Sequence, residues 1–232
     1  MLQTRQTMIN WQEIDTVLLD MDGTLLDLHY DNFFWSQHLP KRYAEIHGGE
    51  PEQVAHDLIK RIMAERGSLN WYCLDYWSNQ LNVDIVALKR EIAHLIAPHP
   101  STADFLTALD NSHCETWLVT NAHRDSLNLK LEHTDLARWM HKMITSHELA
   151  KPKEDPEFWH RLRQHWDFDP ARTLLVDDTA SVLDAAAKFG IRHLLTLRQP
   201  DSKQAIREQL TYPAIQHFSE VLPIPKRETY RG

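Results

Sequence analysis

The 232-residue chain contains only six glycines and two cysteines. It also lacks any apolar run long enough to span a membrane. Scarce glycine, with no Gly/Ser tract, low-complexity segment or internal repeat, argues against a linker-rich chain or a repeat array. Cys73 and Cys114 lie far apart and outside any CxxC or Cys/His ligand spacing, which speaks against a disulfide framework and a structural zinc site. A basic excess is missing as well: the formal net charge is -8 and the pI is near 6.0. Nucleic-acid surfaces normally need a basic stripe, so a nucleic-acid partner is not expected. The first ten residues are polar and hold no signal-type apolar run, so the expected setting is the cytoplasm, with no membrane partner. A few placed cations or one metal ion can still create a local site for a small anion.

What is present is enough apolar material for a sizeable core, with 42% hydrophobic and 9% aromatic residues. Four short apolar runs stand out: Thr16-Val17-Leu18-Leu19, Thr116-Trp117-Leu118-Val119, Thr173-Leu174-Leu175-Val176 and His193-Leu194-Leu195-Thr196. Each is bounded by polar residues, as buried parallel strands are. Helical patterns separate them over residues 124–133, 155–166 and 179–189. The last carries Val182, Ala185, Ala186 and Phe189 on one face, with Gly190 placed to close it as a left-handed cap. This alternation predicts an α/β fold: a Rossmann-like parallel sheet with helices on both faces and ligands at the carboxyl ends of its strands. Asp20, Thr120 and Asp177 then share one rim.

About ninety residues separate the first two runs, far more than a crossover needs. Val54, Leu58 and Ile62, then Trp71, Leu74 and Trp77, then Ile85, Leu88, Ile92 and Leu95 repeat with helical spacing. The chain therefore divides into a core domain, residues 1–27 and 98–232, and an inserted helical cap, residues 28–97. Pro98 and Pro100 mark the return.

Four places on the rim carry chemistry. Asp20-Met21-Asp22-Gly23 sets two carboxylates one residue apart directly after a buried strand; the plain alternative is a strand-ending Asp-Gly turn. Thr120 and Asn121 offer a hydroxyl and an amide to phosphoryl oxygens, or else cap a helix. In Lys151-Pro152-Lys153-Glu154 a lysine precedes a helix and offers a point positive charge to phosphate. Asp177-Asp178 closes the third run with two adjacent acids, suited to a hard cation such as Mg2+.

These four stretches, in this order, resemble the motifs of the haloacid-dehalogenase-like superfamily of phosphohydrolases over nearly the whole chain. The helical insertion resembles that family's cap. The resemblance implies Asp20 as nucleophile and Asp22 as acid and base. It implies Mg2+ held by Asp20, the Asp22 backbone carbonyl and Asp178, with Asp177 in support, and Thr120 and Lys153 on the equatorial oxygens. Superfamily members that cleave carbon-halogen or carbon-phosphorus bonds lack the second aspartate, so Asp22 favours a phosphatase or phosphomutase. The family's third motif often reads Lys-Pro-x-Pro. Here Lys151 has the adjoining proline, while Lys153 has Pro156 three residues on and Trp159 at the usual aromatic position, so Lys153 is preferred and Lys151 is the fallback.

Asp-Met-Asp-Gly-Thr-Leu-Leu-Asp-Leu, the cap stretch Asn-Trp-Tyr-Cys-Leu-Asp-Tyr-Trp, Thr-Asn-Ala-His and Lys-Leu-Glu-His-Thr look like the bacterial GMP/IMP 5'-nucleotidase branch. That implies a purine nucleoside monophosphate as substrate. Asn121 is a candidate phosphoryl contact, the aromatics at residues 69–77 either stack a purine base or, at helical spacing, pack in the core, and His123 either faces the pocket or is an ordinary surface or core histidine. The competing expectations are a sugar-phosphate or phosphoglycolate phosphatase, a phosphomutase, and a catalytically inactive interaction protein.

Overall fold

The computed structural model describes residues 9–227. Residues 1–8, and with them most of the polar N-terminal stretch, lie outside it, as do residues 228–232 of the C-terminal tail. The strands are β1 (Thr16–Leu19), β2 (Glu115–Thr120), β3 (Lys142–Thr145), β4 (Thr173–Val176), β5 (His193–Leu197) and β6 (Ala214–Ile215). They form one parallel sheet in the order β3-β2-β1-β4-β5-β6.

Strand alternation explains how these short strands sort their side chains. Val17 and Leu19 of β1, Leu118 of β2, and Leu174 and Val176 of β4 enter one hydrophobic cluster; Leu18, Trp117, Val119 and Leu175 enter the other. The first face is covered by α6 (Thr102–Asp110) and α7 (Arg124–Glu132) through Phe105, Leu106, Leu109 and Leu127. The second is covered by α8 (Pro156–His165) and α9 (Ala180–Phe189) through Phe158, Trp159, Leu162, Val182 and Ala186. Helix α9 ends as expected at Gly190, with φ 110 and a left-handed cap.

Residues 29–95 form a separate helical layer. It contains α1 (His29–Phe33), which runs through a π-helical turn into α2 (Leu39–His47), then α3 (Pro51–Ala64), α4 (Leu74–Leu81) and α5 (Ile85–Glu91). Its own cluster is built from Tyr30, Phe34, Leu58, Ile62, Leu74, Trp77, Ile85 and Leu88, and α7 contributes Leu129. Entry and exit run side by side: the Asp27 amide donates to the Ala97 carbonyl at 2.8 Å and the His99 amide to Leu25 at 2.9 Å.

The fold departs from the expected pattern in three places. β3 is an edge strand with only Met143 and Ile144 as apolar residues, too short to show a period. Helix α6 also went unmarked. The polar-looking tail from Thr211 onward is partly structural: β6 extends the sheet, and Ile215, Phe218 and Val221 are buried in the first cluster. Their apolar side chains are spaced among polar neighbours, which hides them from a run-based reading.

Candidate active site

The register places the site. Leu19 pairs with Val176 across β1 and β4, so the next residues, Asp20 and Asp177, leave the sheet side by side. This is where the strand order reverses: the chain moves from β1 outward to β2 and β3, then crosses to β4 on the other side. Such a switch point opens a crevice beyond the carboxyl ends of the strands. A cavity of about 540 Å³ lies there, lined by Asp20, Asp22, Thr120, Lys153, Asp177 and Asp178 among others.

The turn after β1 is tightly tied. The amides of Leu25 and Leu26 donate to the Met21 carbonyl at 3.0 and 2.8 Å, and the Gly23 amide donates to Leu26 at 2.8 Å. Gly23 has φ +85, and a Cβ there would stand 2.9 Å from Asp178 Cγ and Oδ2. Only glycine supplies both that backbone and that clearance.

Carboxylate oxygens of Asp20, Asp177 and Asp178 lie within 4.8 Å of one another. Lys153 is buried, and its Nζ donates to Asp20 Oδ1 at 2.5 Å, Asp177 Oδ2 at 2.7 Å and the Val119 carbonyl at 2.9 Å. Burial pushes Asp20 and Asp177 up to about 6, against the opposing charge of Lys153. It pushes Asp178 up to about 7, reinforced by the Asp20 charge. Asp178 has no ion-pair partner among the described residues. Asp22, across the cavity, is raised to about 6 by burial, with Lys130 acting the other way. Lys153 is held above the ordinary lysine range because its two aspartates outweigh the burial that would lower it.

Thr120 Oγ1 accepts from the Ala122 amide at 3.0 Å, which leaves its O–H free to donate into the cavity. Asn121 lines the cavity, but its amide is engaged by the protein: Oδ1 accepts from the Lys153 backbone and Nδ2 donates to Glu154, both at 2.9 Å. The amide expected to hold phosphoryl oxygens therefore orients the lysine loop. Lys151 stays outside the cavity and pairs with Asp155 at 2.7 Å. His123 lines the cavity wall between Asp75 and Asp125, at 3.7 and 3.6 Å.

Among the expected aromatic contacts, Trp77 is buried in the helical layer, whereas Trp71 and Tyr72 line the cavity. Tyr72 donates to Glu154 Oε1 at 2.6 Å, joining the helical layer to the sheet domain. Sequence reasoning missed Trp35, Asp31 and Lys89, which also line this space, and Lys130, which stands behind Asp22 and Asp31. The lysines sit in ordinary amphipathic helical patterns, and nothing in the sequence separates them from surface lysines.

Fold and site together define a doubly wound α/β enzyme with an acidic centre at its switch point. The family model described as haloacid dehalogenase-like hydrolase matches residues 14–190, and the chain belongs to that family. It is 40% identical over 215 residues, 93% of this chain and 97% of the relative, to the GMP/IMP nucleotidase YrfG of Escherichia coli (strain K12). It is 22% identical over 194 residues, 78% of this chain and 84% of the relative, to a phosphorylated carbohydrates phosphatase of Thermotoga maritima. The fold matches a crystal structure of an HAD phosphatase from Thermococcus onnurineus with TM-score 0.71 at 20% identity, covering 89% of this chain and 95% of the other.

Proposed function

We propose that this hydrolase cleaves phosphate monoesters with Mg2+ as cofactor through an aspartyl phosphate on Asp20, with purine nucleoside 5'-monophosphates such as GMP and IMP as substrates. The observation that carries the reaction is the convergence of the Asp20, Asp177 and Asp178 carboxylates beside Lys153, in one cavity with Asp22.

This donor set fits a hard divalent ion, because every donor is an oxygen, most of them from carboxylates, and burial makes the uncompensated charges costly. Asp20, Asp178 and the Asp22 carbonyl would hold the ion, with Asp177 in support. When bound, Mg2+ supplies the charge neutralisation that lets an anionic nucleophile approach an anionic phosphate. Asp20 attacks phosphorus, and the bond to the leaving alkoxide breaks as the Asp20 oxygen–phosphorus bond forms. Asp22 gives its proton to the leaving oxygen. It then takes a proton from the water that attacks the aspartyl phosphate, releasing phosphate and restoring Asp20. A carboxyl group raised to about 6 suits both halves near neutral pH. The Thr120 hydroxyl and Lys153 ammonium donate to the equatorial oxygens.

In this reading residues 28–97 act as the cap and residues 1–27 and 98–232 as the catalytic core. The substrate assignment rests on the 40% identical nucleotidase and on the aromatic wall. Trp35 and Trp71 border both the catalytic cavity and an adjoining apolar recess of about 340 Å³, and their rings suit a flat base. The setting is the cytoplasm, in keeping with two free cysteines and with no described helix long and apolar enough to cross a membrane.

Phosphate release from a panel of nucleotides and sugar phosphates, with Mg2+ and with EDTA, tests the proposal. GMP and IMP lead and EDTA silences the reaction if it holds. Sugar phosphates in the lead would overturn the substrate assignment. Transfer to a second sugar hydroxyl without release would identify a mutase, and inertness of every ester under both conditions would overturn the reaction.

A further inference from the structure

A buried chain of ions connects Asp22 to the helical layer through residues that have no part in the reaction above. Lys130 of α7, 1% exposed, donates from Nζ to Asp22 Oδ1 at 2.5 Å and to Asp31 Oδ2 at 2.7 Å. Lys89 of α5, equally buried, donates to Asp31 Oδ1 at 2.7 Å. The Lys89 ammonium stands over the rings of Tyr30 and Phe34, at 4.7 and 4.5 Å, and the Tyr30 hydroxyl donates to the Lys89 carbonyl at 3.1 Å. Asp31 and Lys89 belong to the helical layer, and Lys130 belongs to a helix packed on the sheet.

Burying an ammonium is costly unless a partner compensates it, and one carboxylate satisfies that need. Lys130 has two. Its grip takes only Oδ1 of Asp22; Oδ2 makes no hydrogen bond among the described residues and belongs to a carboxyl group that lines the cavity. An ammonium paired with Asp22 alone would hold that carboxylate tightly in place. Sharing with Asp31 keeps the Lys130 charge compensated while Asp22 turns toward a reacting oxygen.

We infer that Lys130 is a positioning residue for Asp22, aiming its free oxygen into the cavity, and that Asp31, braced by Lys89, is the counter-ion that lets Asp22 move. The inference rests on the acid–base role given to Asp22 above.

The test compares kcat/KM for GMP with that for p-nitrophenyl phosphate in wild type, Asp22→Asn, Lys130→Met and Asp31→Asn, all with Mg2+. A ribose alkoxide needs a proton as it leaves, whereas p-nitrophenolate departs as a stable anion. Lys130→Met should cut kcat/KM for GMP by roughly 100-fold, within the range general acid catalysis contributes. It should cut that for p-nitrophenyl phosphate by less than about ten-fold, with the GMP loss in kcat rather than KM. Asp31→Asn, which keeps side-chain volume, should show the same bias more weakly, and it decides the matter if Lys130→Met does not fold. Equal losses on both esters in these variants, with a biased loss in Asp22→Asn, would overturn the inference alone. An unbiased Asp22→Asn would overturn the acid role itself, and the inference with it.

Discussion

Lys151 and Lys153 stand two residues apart in opposite surroundings. The Lys151 side chain is 36% exposed and forms an i,i+4 pair with Asp155; that of Lys153 is 2% exposed and bridges two buried aspartates. Exposed pairs contribute about 0–1 kcal/mol, so Lys151→Ala should leave melting temperature and turnover near wild type. Breaking a buried pair costs about 3–5 kcal/mol, and Lys153→Ala leaves Asp20 and Asp177 facing each other uncompensated. It should melt earlier and lose phosphate release by roughly 100-fold or more. Thermal melts beside steady-state kinetics check both, and a larger activity loss in Lys151→Ala would place the functional lysine wrongly. Proline spacing alone left both lysines open; Trp159, whose indole donates to the Lys153 carbonyl at 2.9 Å, helped point to Lys153. Lys130, Asp31 and Lys89 gave no such signal. Their partners are distant in sequence, Lys130 lying 108 residues from Asp22, and only the fold makes them neighbours.

The helical layer reaches the sheet domain through the Leu69–Tyr72 turn as well as through its two adjacent connections. The Tyr72 hydroxyl meets Glu154, the residue after Lys153, and Glu154 also receives Asn121. Removing a hydrogen bond to a charged group costs about 1.5–3 kcal/mol, and here the cost falls on the contact between the helical layer and the sheet domain. Tyr72→Phe should therefore raise KM about ten-fold with kcat changed by less than about three-fold, since Tyr72 lines the cavity and its loss loosens the wall that binds substrate. An unchanged KM in steady-state assays would contradict this latch. The layer itself was readable because Leu58, Ile62, Leu74, Trp77, Ile85 and Leu88 keep helical spacing and end buried. The weaker edge elements β3 and β6 were not, since two or three apolar residues carry no period and are defined by pairing with a neighbouring strand.

The acidic centre links stability to pH and, in the proposed reading, to metal. Asp20, Asp177 and Asp178 are raised by burial from the ordinary 3.8 to about 6, 6 and 7. Their contribution to stability is present below about 4 and is lost as pH rises through 6 to 7. His147, pushed down to about 4 by burial and the neighbouring His123, acts with the opposite sign, because it is held neutral in the fold. A comparison with Asp178→Asn separates the two. In EDTA that variant should gain stability over wild type between pH 5 and 8, by at least about 1 kcal/mol or roughly 2–4 °C in Tm. Mg2+ should raise the wild-type Tm more at pH 8 than at pH 5 and leave the variant nearly unmoved. Equal Mg2+ shifts at both pH values, or a variant that responds like wild type, would contradict the metal centre. The -8 net charge gave no hint of this centre, which depends on a few acids brought together by strand register.

In the proposed reaction Asp20 is the group that takes the phosphoryl from the ester. Acid-quenching the enzyme during turnover of GMP with Mg2+, then mapping its peptides by mass spectrometry, tests this most directly. One phosphoryl group on the peptide bearing Asp20, absent in EDTA and absent in an inactive Asp20→Asn variant, is the predicted result. An Asp20→Asn enzyme that keeps substantial Mg2+-dependent phosphate release, with no phosphoryl group on that peptide in wild type, would contradict it.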